Sequence, residues 1–390
     1  MKHTHSDRLE RWLGTETVDA ISANFGGFYH PVAIHGVPGN VHVMPGGDFT
    51  GEIKAGAFLS KEDGAAMVLK KLRAAADAKL RRNRALGTLL EMIRCNDGRL
   101  ASIGAFSSID AVVAAFTGGK GQAMVFQKTG VNANNAANSM DMWTRSSAPG
   151  AGAAASAAPG GTVPTAATTG AMGFKNLGAA NSGHYLNWTM TASVTGATLM
   201  LYDRIFAVAK TMNSTGTEAV TGVPTRYTNT TPGNIQYCGG NFLFPSVPTT
   251  VLPGTAHNWT VCQYTDDGGN AGQSVPSATG QVSCVVGGID LAAGQGSWFM
   301  PLAAGDVGLT ALTQMQCSAA IATGTVDFVI GHPIAINVSP LANMACLDDG
   351  LYTAMNLTTI LDDACLAFIE MPKISATATV FSGLVRAVSE

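Results

Sequence analysis

Leu199-Met200-Leu201-Tyr202-Asp203-Arg204-Ile205-Phe206-Ala207-Val208 is apolar on both sides of one charged pair and holds no turn residue. A run of this kind is a strand buried on both faces or a short buried helix. Its neighbours decide between them. Thr-Met-Thr-Ala-Ser-Val-Thr (189–195) comes before it and Thr/Gly/Pro-rich segments come after. β-branched residues punctuated by turn formers favour strands. Successive strand residues point to opposite faces, so Asp203 and Arg204 cannot share a side. Charges are rarely buried unpaired. Either both therefore sit at a strand end and reach solvent, or one faces a groove, a sheet edge or another subunit, which makes the pair interface candidates.

From about Ala171 to the end, short apolar segments alternate with turn signals. The candidate strands are 185–195, 197–208, 240–245, 257–264, 281–286, 298–302, 310–319, 325–331, 333–338, 364–371 and 376–386. Many short strands at this spacing predict a sandwich or jelly roll. The sharpest turn is Thr265-Asp266-Asp267-Gly268-Gly269-Asn270-Ala271-Gly272. Asp266, Asp267 and Asn270 could hold calcium, but the EF-hand frame is missing and a plain hairpin turn is the simpler reading. Asp348-Asp349-Gly350 and Asp362-Asp363 flank a helix-like piece, 351–361, and read as solvent-facing acids.

Upstream of the β region, residues 146–170 carry Pro149-Gly150, an Ala/Gly run, Pro159-Gly160-Gly161 and Pro164. Such composition reads as a linker or an ordered surface loop. Residues 107–116 read as a capped helix, and 123–128 as a strand. A longer helix is expected from about Lys61 to Arg94, with Ser60 as its cap. On it Lys70, Lys71, Arg73, Lys79, Arg81, Arg82 and Arg84 place seven cations in 15 residues against one acid, Asp77. A solvated helix face or an acidic protein partner fits this run. No aromatic interleaving or binding motif accompanies it, which weighs against nucleic acid.

Residues 6–20 read as a short amphipathic helix. Residues 25–49 mix three prolines among glycines and single apolar residues, a pattern for an extended arm with turns. Its aromatics, Phe25, Phe28, Tyr29 and Phe49, are expected to anchor on a partner, since aromatic side chains are costly to leave in water. His30, His35 and His42 with Asp48 match no usual metal-ligand spacing.

The whole chain reads as α+β. Residues 1–58 are an N-terminal helix and extended arm, 59–145 a helical region with a short strand, 146–170 an Ala/Gly/Pro-rich linker, and 171–390 a mainly-β sandwich or jelly-roll-like domain. Only 13% of its 390 residues are charged, about half the usual share. Charge is uneven: residues 1–130 hold 16 Lys/Arg and 12 Asp/Glu, net +4, and the remainder holds 7 and 14, net −7. A surface this poor in charge suits a protein covered by sister or neighbouring subunits. Neither a signal peptide nor a membrane span is expected, and six Asn-x-Ser/Thr sequons read as chance in so Thr-rich a chain. Seven cysteines without CxxC spacing predict buried free thiols, with disulfides possible only after release from a cell. No catalytic frame such as GxSxG, HExxH or GxGxxG is found, so no enzyme and no cofactor is expected.

One resemblance follows from the β region. Ala171-Met172-Gly173-Phe174, Thr198 through Arg204, Thr225-Arg226-Tyr227-Thr228, Gln263-Tyr264-Thr265 with Ala271-Gly272-Gln273-Ser274, and Met300 through Gly308 occur in an order that resembles virion structural proteins of tailed bacteriophages. It spans about residues 165–335. The resemblance implies a particle component made in the bacterial cytoplasm and transfers no catalytic residues. A head-decoration or cement protein contacting itself, as a trimer or larger, and other virion proteins such as the major capsid protein is the leading role. A neck, collar or tail spike component, a major capsid protein, and a glycan-binding or glycan-cleaving module using Trp188, Trp259 or Trp298 are the alternatives. On the cement reading, a chain lacking residues 1–58 should keep a folded β domain that no longer assembles.

Overall fold

The computed structural model describes residues 33–37, 40–44, 51–54, 106 and 109–389, other than 132–137, 176–181, 293–297, 350–357 and 372–376. The chain divides into two compact units, Met1–Leu100 and Ala101–Glu390. In the first, β1 (Ala33–Val37), β2 (Asn40–Met44) and β3 (Gly51–Lys54) form a three-stranded antiparallel sheet. Part of the expected arm is therefore a paired meander, with His35 opposite His42. Phe25, Phe28, Tyr29 and Phe49, the expected helices at 6–20 and 61–94, and the seven cations at 70–84 lie outside the described residues.

The second unit is mostly β. A helix, α1 (Ile109–Ala115), runs through a π-helical turn (Phe116–Lys120) into β4 (Gly121–Thr129), matching the expected helix and strand. After these come β5 (Met140–Asp141), β6 (Ser147–Ala148), β7 (Ser182–Ala192), β8 (Ala197–Thr211) and β9 (Glu218–Ala219). Next are β10 (Phe242–Ser246), β11 (Asn258–Asp266), β12 (Gln273–Ser274), β13 (Ala278–Thr279) and β14 (Leu309–Cys317). The last five are β15 (Thr325–Ser339), β16 (Cys346–Asp349), β17 (Thr359–Leu361), β18 (Leu366–Glu370) and β19 (Val380–Ser389).

These strands make three antiparallel sheets. The central one runs β10-β15-β8-β18-β5. One flanking sheet runs β12-β11-β14-β9 with β13 also on β11; the other runs β16-β7-β19-β4-β6 with β17 also on β7. β8 is buried along nearly its whole length, and its alternation sorts side chains into two cores. Met200, Tyr202, Phe206 and Val208 share one core with Trp259, Cys262 and Tyr264 of β11 and Leu312 and Met315 of β14. Leu199 and Leu201 share the other with Trp188 and Met190 of β7, Phe126 of β4 and Val385 of β19. β18 alternates in the same way: Ala367 and Ile369 enter the first core, Leu366 and Phe368 the second. This explains why the run 199–208 shows no polar face: neither side of the strand meets water.

A register shift between Ile330 and Gly331 leaves Ile205 as the extra residue in β8. Such a bulge re-aims neighbouring side chains. Gly331 lies beside it, and a Cβ there would stand 2.7 Å from Tyr202 Cδ2 and 2.8 Å from Phe242 Cζ, so only glycine fits without displacing the aromatic rings.

The stretch 146–170 is an ordered loop sewn to the central sheet. Gly152 N–H donates to Trp143 O at 2.8 Å, Thr162 and Ala207 exchange backbone bonds at 2.7 and 2.9 Å, and Ala155 N–H donates to Asp327 Oδ2 at 2.9 Å. The chain's compact units part after Leu100, not at this loop. Two expected strands, 281–286 and 298–302, are loops; the second touches sheet at the single bridge Leu243–Met300.

Candidate functional site

Asp203 and Arg204 do not reach solvent, a groove or a sheet edge. Both are buried, at 0% and 1% exposure, and each is satisfied within the chain on its own side of β8. Arg226 donates to Asp203 through Nε and Nη2, both at 2.8 Å, and Cys365 N–H donates to Asp203 Oδ1 at 2.8 Å. Burial pushes the Asp203 carboxyl above the ordinary aspartate value, against the pull of Arg226. Arg204 donates to Asp141 Oδ2 at 3.1 Å and reaches Asp327 Oδ2 at 3.5 Å, with its guanidinium 4.9 Å from the Trp143 ring centroid. Two charges that read as interface candidates are thus internal ties joining β8 to β5, β15 and the 226 loop. Enclosed on both faces of β8, these pairs tie strands together inside the fold.

Two further titratable groups sit near the first core. His332 stacks on Tyr227 with ring centroids 3.7 Å apart, and its Nδ1 lies 2.8 Å from Asn241 Oδ1. Because a carboxamide oxygen only accepts, His332 carries its proton on Nδ1. Burial lowers the His332 pKa to about 4. Burial raises Asp327 to about 6, against the pull of Arg204.

The two have opposite pH consequences. The unfolded imidazole takes its proton near 6.5 and the folded one only near 4, so folding loses stability as pH falls through that window. Folded Asp327 binds its proton near 6 and unfolded aspartate near 3.8, so folding gains stability as pH falls between those values. Each effect amounts to about 3 kcal/mol, so they nearly offset. His332→Gln should therefore gain on the wild type by about 2 kcal/mol between pH 7 and pH 4.5 in urea unfolding. An equal change in both proteins over that range would show that His332 is not held neutral by the fold.

The Asp266–Asn270 turn is a hairpin turn between β11 and β12. Asp266 accepts from Asn270 N at 2.7 Å and Asn270 Nδ2 at 2.9 Å, while Asp267 accepts from Tyr237 OH and Val307 N, both at 3.1 Å. No group of three metal-ligating side chains occurs among the described residues. Cys238, Cys262, Cys284, Cys317, Cys346 and Cys365 are free thiols, all buried except the half-buried Cys346.

One open feature among the described residues of the second unit is a cleft of about 350 Å³ between α1 and the outer face of the β7 sheet. Val112, Val113, Phe116 and Leu186 wall it, and Asn187, Asp349 and Arg386 form its polar floor. Strand register explains the floor. Arg386 of β19 pairs with Asn187 of β7, and Asn187 pairs with Asp349 of β16, so the three stand in one cross-strand row. Arg386 Nη1 donates to Asn187 Oδ1 at 3.1 Å. The Thr117 hydroxyl at the rim is bonded within its own helix, to Val113 O at 2.9 Å. Val113 and Phe116 are 55% and 37% exposed. None of these residues stands out in the sequence, because they come from four separated segments and none forms a motif.

No known family's sequence profile matches the chain, and no curated protein matches it. Among solved structures, a chain from the "Structure of infectious bursal disease virus Gt strain" aligns at 8% identity over 69% of this chain and 81% of its own, with a TM-score of 0.14. A score that low establishes no common fold.

Proposed function

We propose that this chain is a structural component of a tailed-phage virion, a capsid-associated cement protein whose β domain is a stacked sandwich held against copies of itself and neighbouring virion proteins. The observation that carries the reading is the corner between β15 and β16. Ile336, Val338, Leu341, Met344 and Leu347 stand 46%, 49%, 56%, 42% and 61% exposed within twelve residues of sequence. Aliphatic side chains gathered in water at this density mark a contact surface. The low charge of the chain, 13%, points the same way, since soluble solitary proteins carry about twice that. Burying one such side chain contributes roughly 1.5–3 kcal/mol, and repetition over many copies turns weak contacts into a stable shell.

Light scattering on the full chain tests this. The expected mass is a multiple of 40.0 kDa, and Val338→Lys with Leu347→Lys should shift it to the monomer with an unchanged circular-dichroism spectrum. A wild-type chain that stays monomeric at micromolar concentration would overturn the reading.

A further inference from the structure

The side chain of His257 is 0% exposed, and both of its ring nitrogens face an acceptor. Nδ1 lies 3.0 Å from Thr255 O, and Nε2 lies 2.8 Å from Asp290 Oδ2. A backbone carbonyl accepts only, and so does an ionised carboxylate. A neutral imidazole donates from one nitrogen alone, so it would turn a lone pair on one of these two partners. The pair therefore holds one proton more than a neutral ring beside a carboxylate, whichever of the two groups carries it. This is the reverse of His332, which burial keeps neutral. A Cβ at Gly280 would stand 2.1 Å from His257 Nε2, so the backbone there lies close against the ring.

Asp290 is the node of the cluster. Its Oδ1 accepts from Gln281 N–H at 2.7 Å, its N–H donates to Pro245 O of β10 at 2.8 Å, and its backbone O accepts from Trp259 Nε1 of β11 at 3.1 Å. Gly280 N–H donates to His257 O at 3.0 Å. Segment 280–291 is loop, crossed by the single bridges Met140–Gly288 and Ser246–Ile289. We propose that the His257–Asp290 pair is a proton-operated latch: with its extra proton it pins segment 280–291 to β10 and β11, and loss of that proton on the alkaline side releases the segment. Cys284, Ile289 and Leu291 belong to the first core, so release uncovers part of that core.

The surrounding groups leave the proton to this pair. Cys284 of the segment and Cys317 of β14 both feel Asp290, and burial first, then that carboxylate, holds each thiol above its ordinary value. Lys210 of β8 acts on Cys317. Trp259, edge-on to the ring at 5.7 Å, brings no charge. Burial opposes a charged His257 ring, but the hydrogen bond and charge of Asp290 outweigh it and raise the imidazole above its ordinary 6.5. A raised folded value means that the latch is at full strength below 6.5 and is lost as pH rises through the folded value.

Selective 15N labelling of histidine in the full chain reads the proton directly. His257, assigned by the signal missing from His257→Gln, should show two protonated ring nitrogens at pH 6.5 and titrate above it. Amide hydrogen exchange, corrected for its intrinsic rise with pH, should show protection of 280–291 falling by about tenfold or more between pH 6.5 and pH 9.5 while β8 stays protected. His257→Gln can still donate to Asp290 but cannot gain or lose a proton, so its profile should be flat over that range. Asp290→Asn should lower the pH at which His257 titrates. A His257 that titrates below pH 6.5 would overturn the proposal, and so would a 280–291 segment whose protection falls no more than that of β8. Should the variants not fold, the wild-type titration and exchange profile decide alone. The latch lies within one chain, so these outcomes are separate from the mass measurement that tests the virion role.

Discussion

Arg204→Ala is expected to destabilise the second unit by about 3–5 kcal/mol, a large share of the total for any domain. The cost does not come mainly from the lost ion pairs. It comes from the carboxylates of Asp141 and Asp327, which are 1% exposed and would be left with no cation between them. Their alternative is to take up protons, and Asp327 is already held near 6 by burial. The lesion should therefore be milder at pH 5 than at pH 8, because protonation relieves the uncompensated charge. Urea denaturation at both pH values measures this. A triple variant, Asp141→Asn, Arg204→Met, Asp327→Asn, should recover most of the loss, since replacing a whole buried ionic group by neutral residues of similar size is often neutral or stabilising. A single variant as stable as the wild type would show that Arg204 reaches water.

Phe368→Ala is the second large effect, expected at about 3–5 kcal/mol. Phe368 lies on β18 at the centre of an aromatic group, with ring centroids 4.6 Å from Phe126 and 5.6 Å from Trp188. All three rings lie in the core between the central and β7 sheets, so their contacts are the seam between two sheets. Val125→Ala is the control. Val125 is the residue immediately before Phe126 on β4 but points outward, 73% exposed, and its truncation should change stability by about 0.5 kcal/mol or less. Comparable losses for the two substitutions in thermal or urea unfolding would contradict a central sheet packed on both sides.

Much of this fold was legible. The run 199–208 announced a strand without a wet face, and β7, β11, β14 and β19 fall close to where alternation and turn residues put them. The 325–331 and 333–338 segments read as two strands because Gly331 and Pro333 look like a break. They are one strand, β15, because a bulge absorbs the irregularity. β16 was missed, since Asp348-Asp349 reads as a turn when neither partner strand is in view. The segments 281–286 and 298–302 had strand composition, but 281–286 is taken up by turns and 298–302 meets the β10 edge at one bridge alone, Leu243–Met300. Asp203 and Arg204 were misjudged for a related reason: their partners lie 23, 63 and 123 residues away, and nothing local reveals that a charge will be matched at such distance. The cleft is illegible for the same cause, because strand register, and not sequence spacing, assembles its floor.

The central sheet serves as a wall of both cores, and this couples them. Peeling away either flanking sheet strips one side of β8 and β18 bare while the other side is still held. A half-opened molecule would thus present a wide, flat, greasy plane with hydrogen-bonding strands at its margins, an invitation to stick to the next chain. Such a protein gains most from opening all at once or not at all.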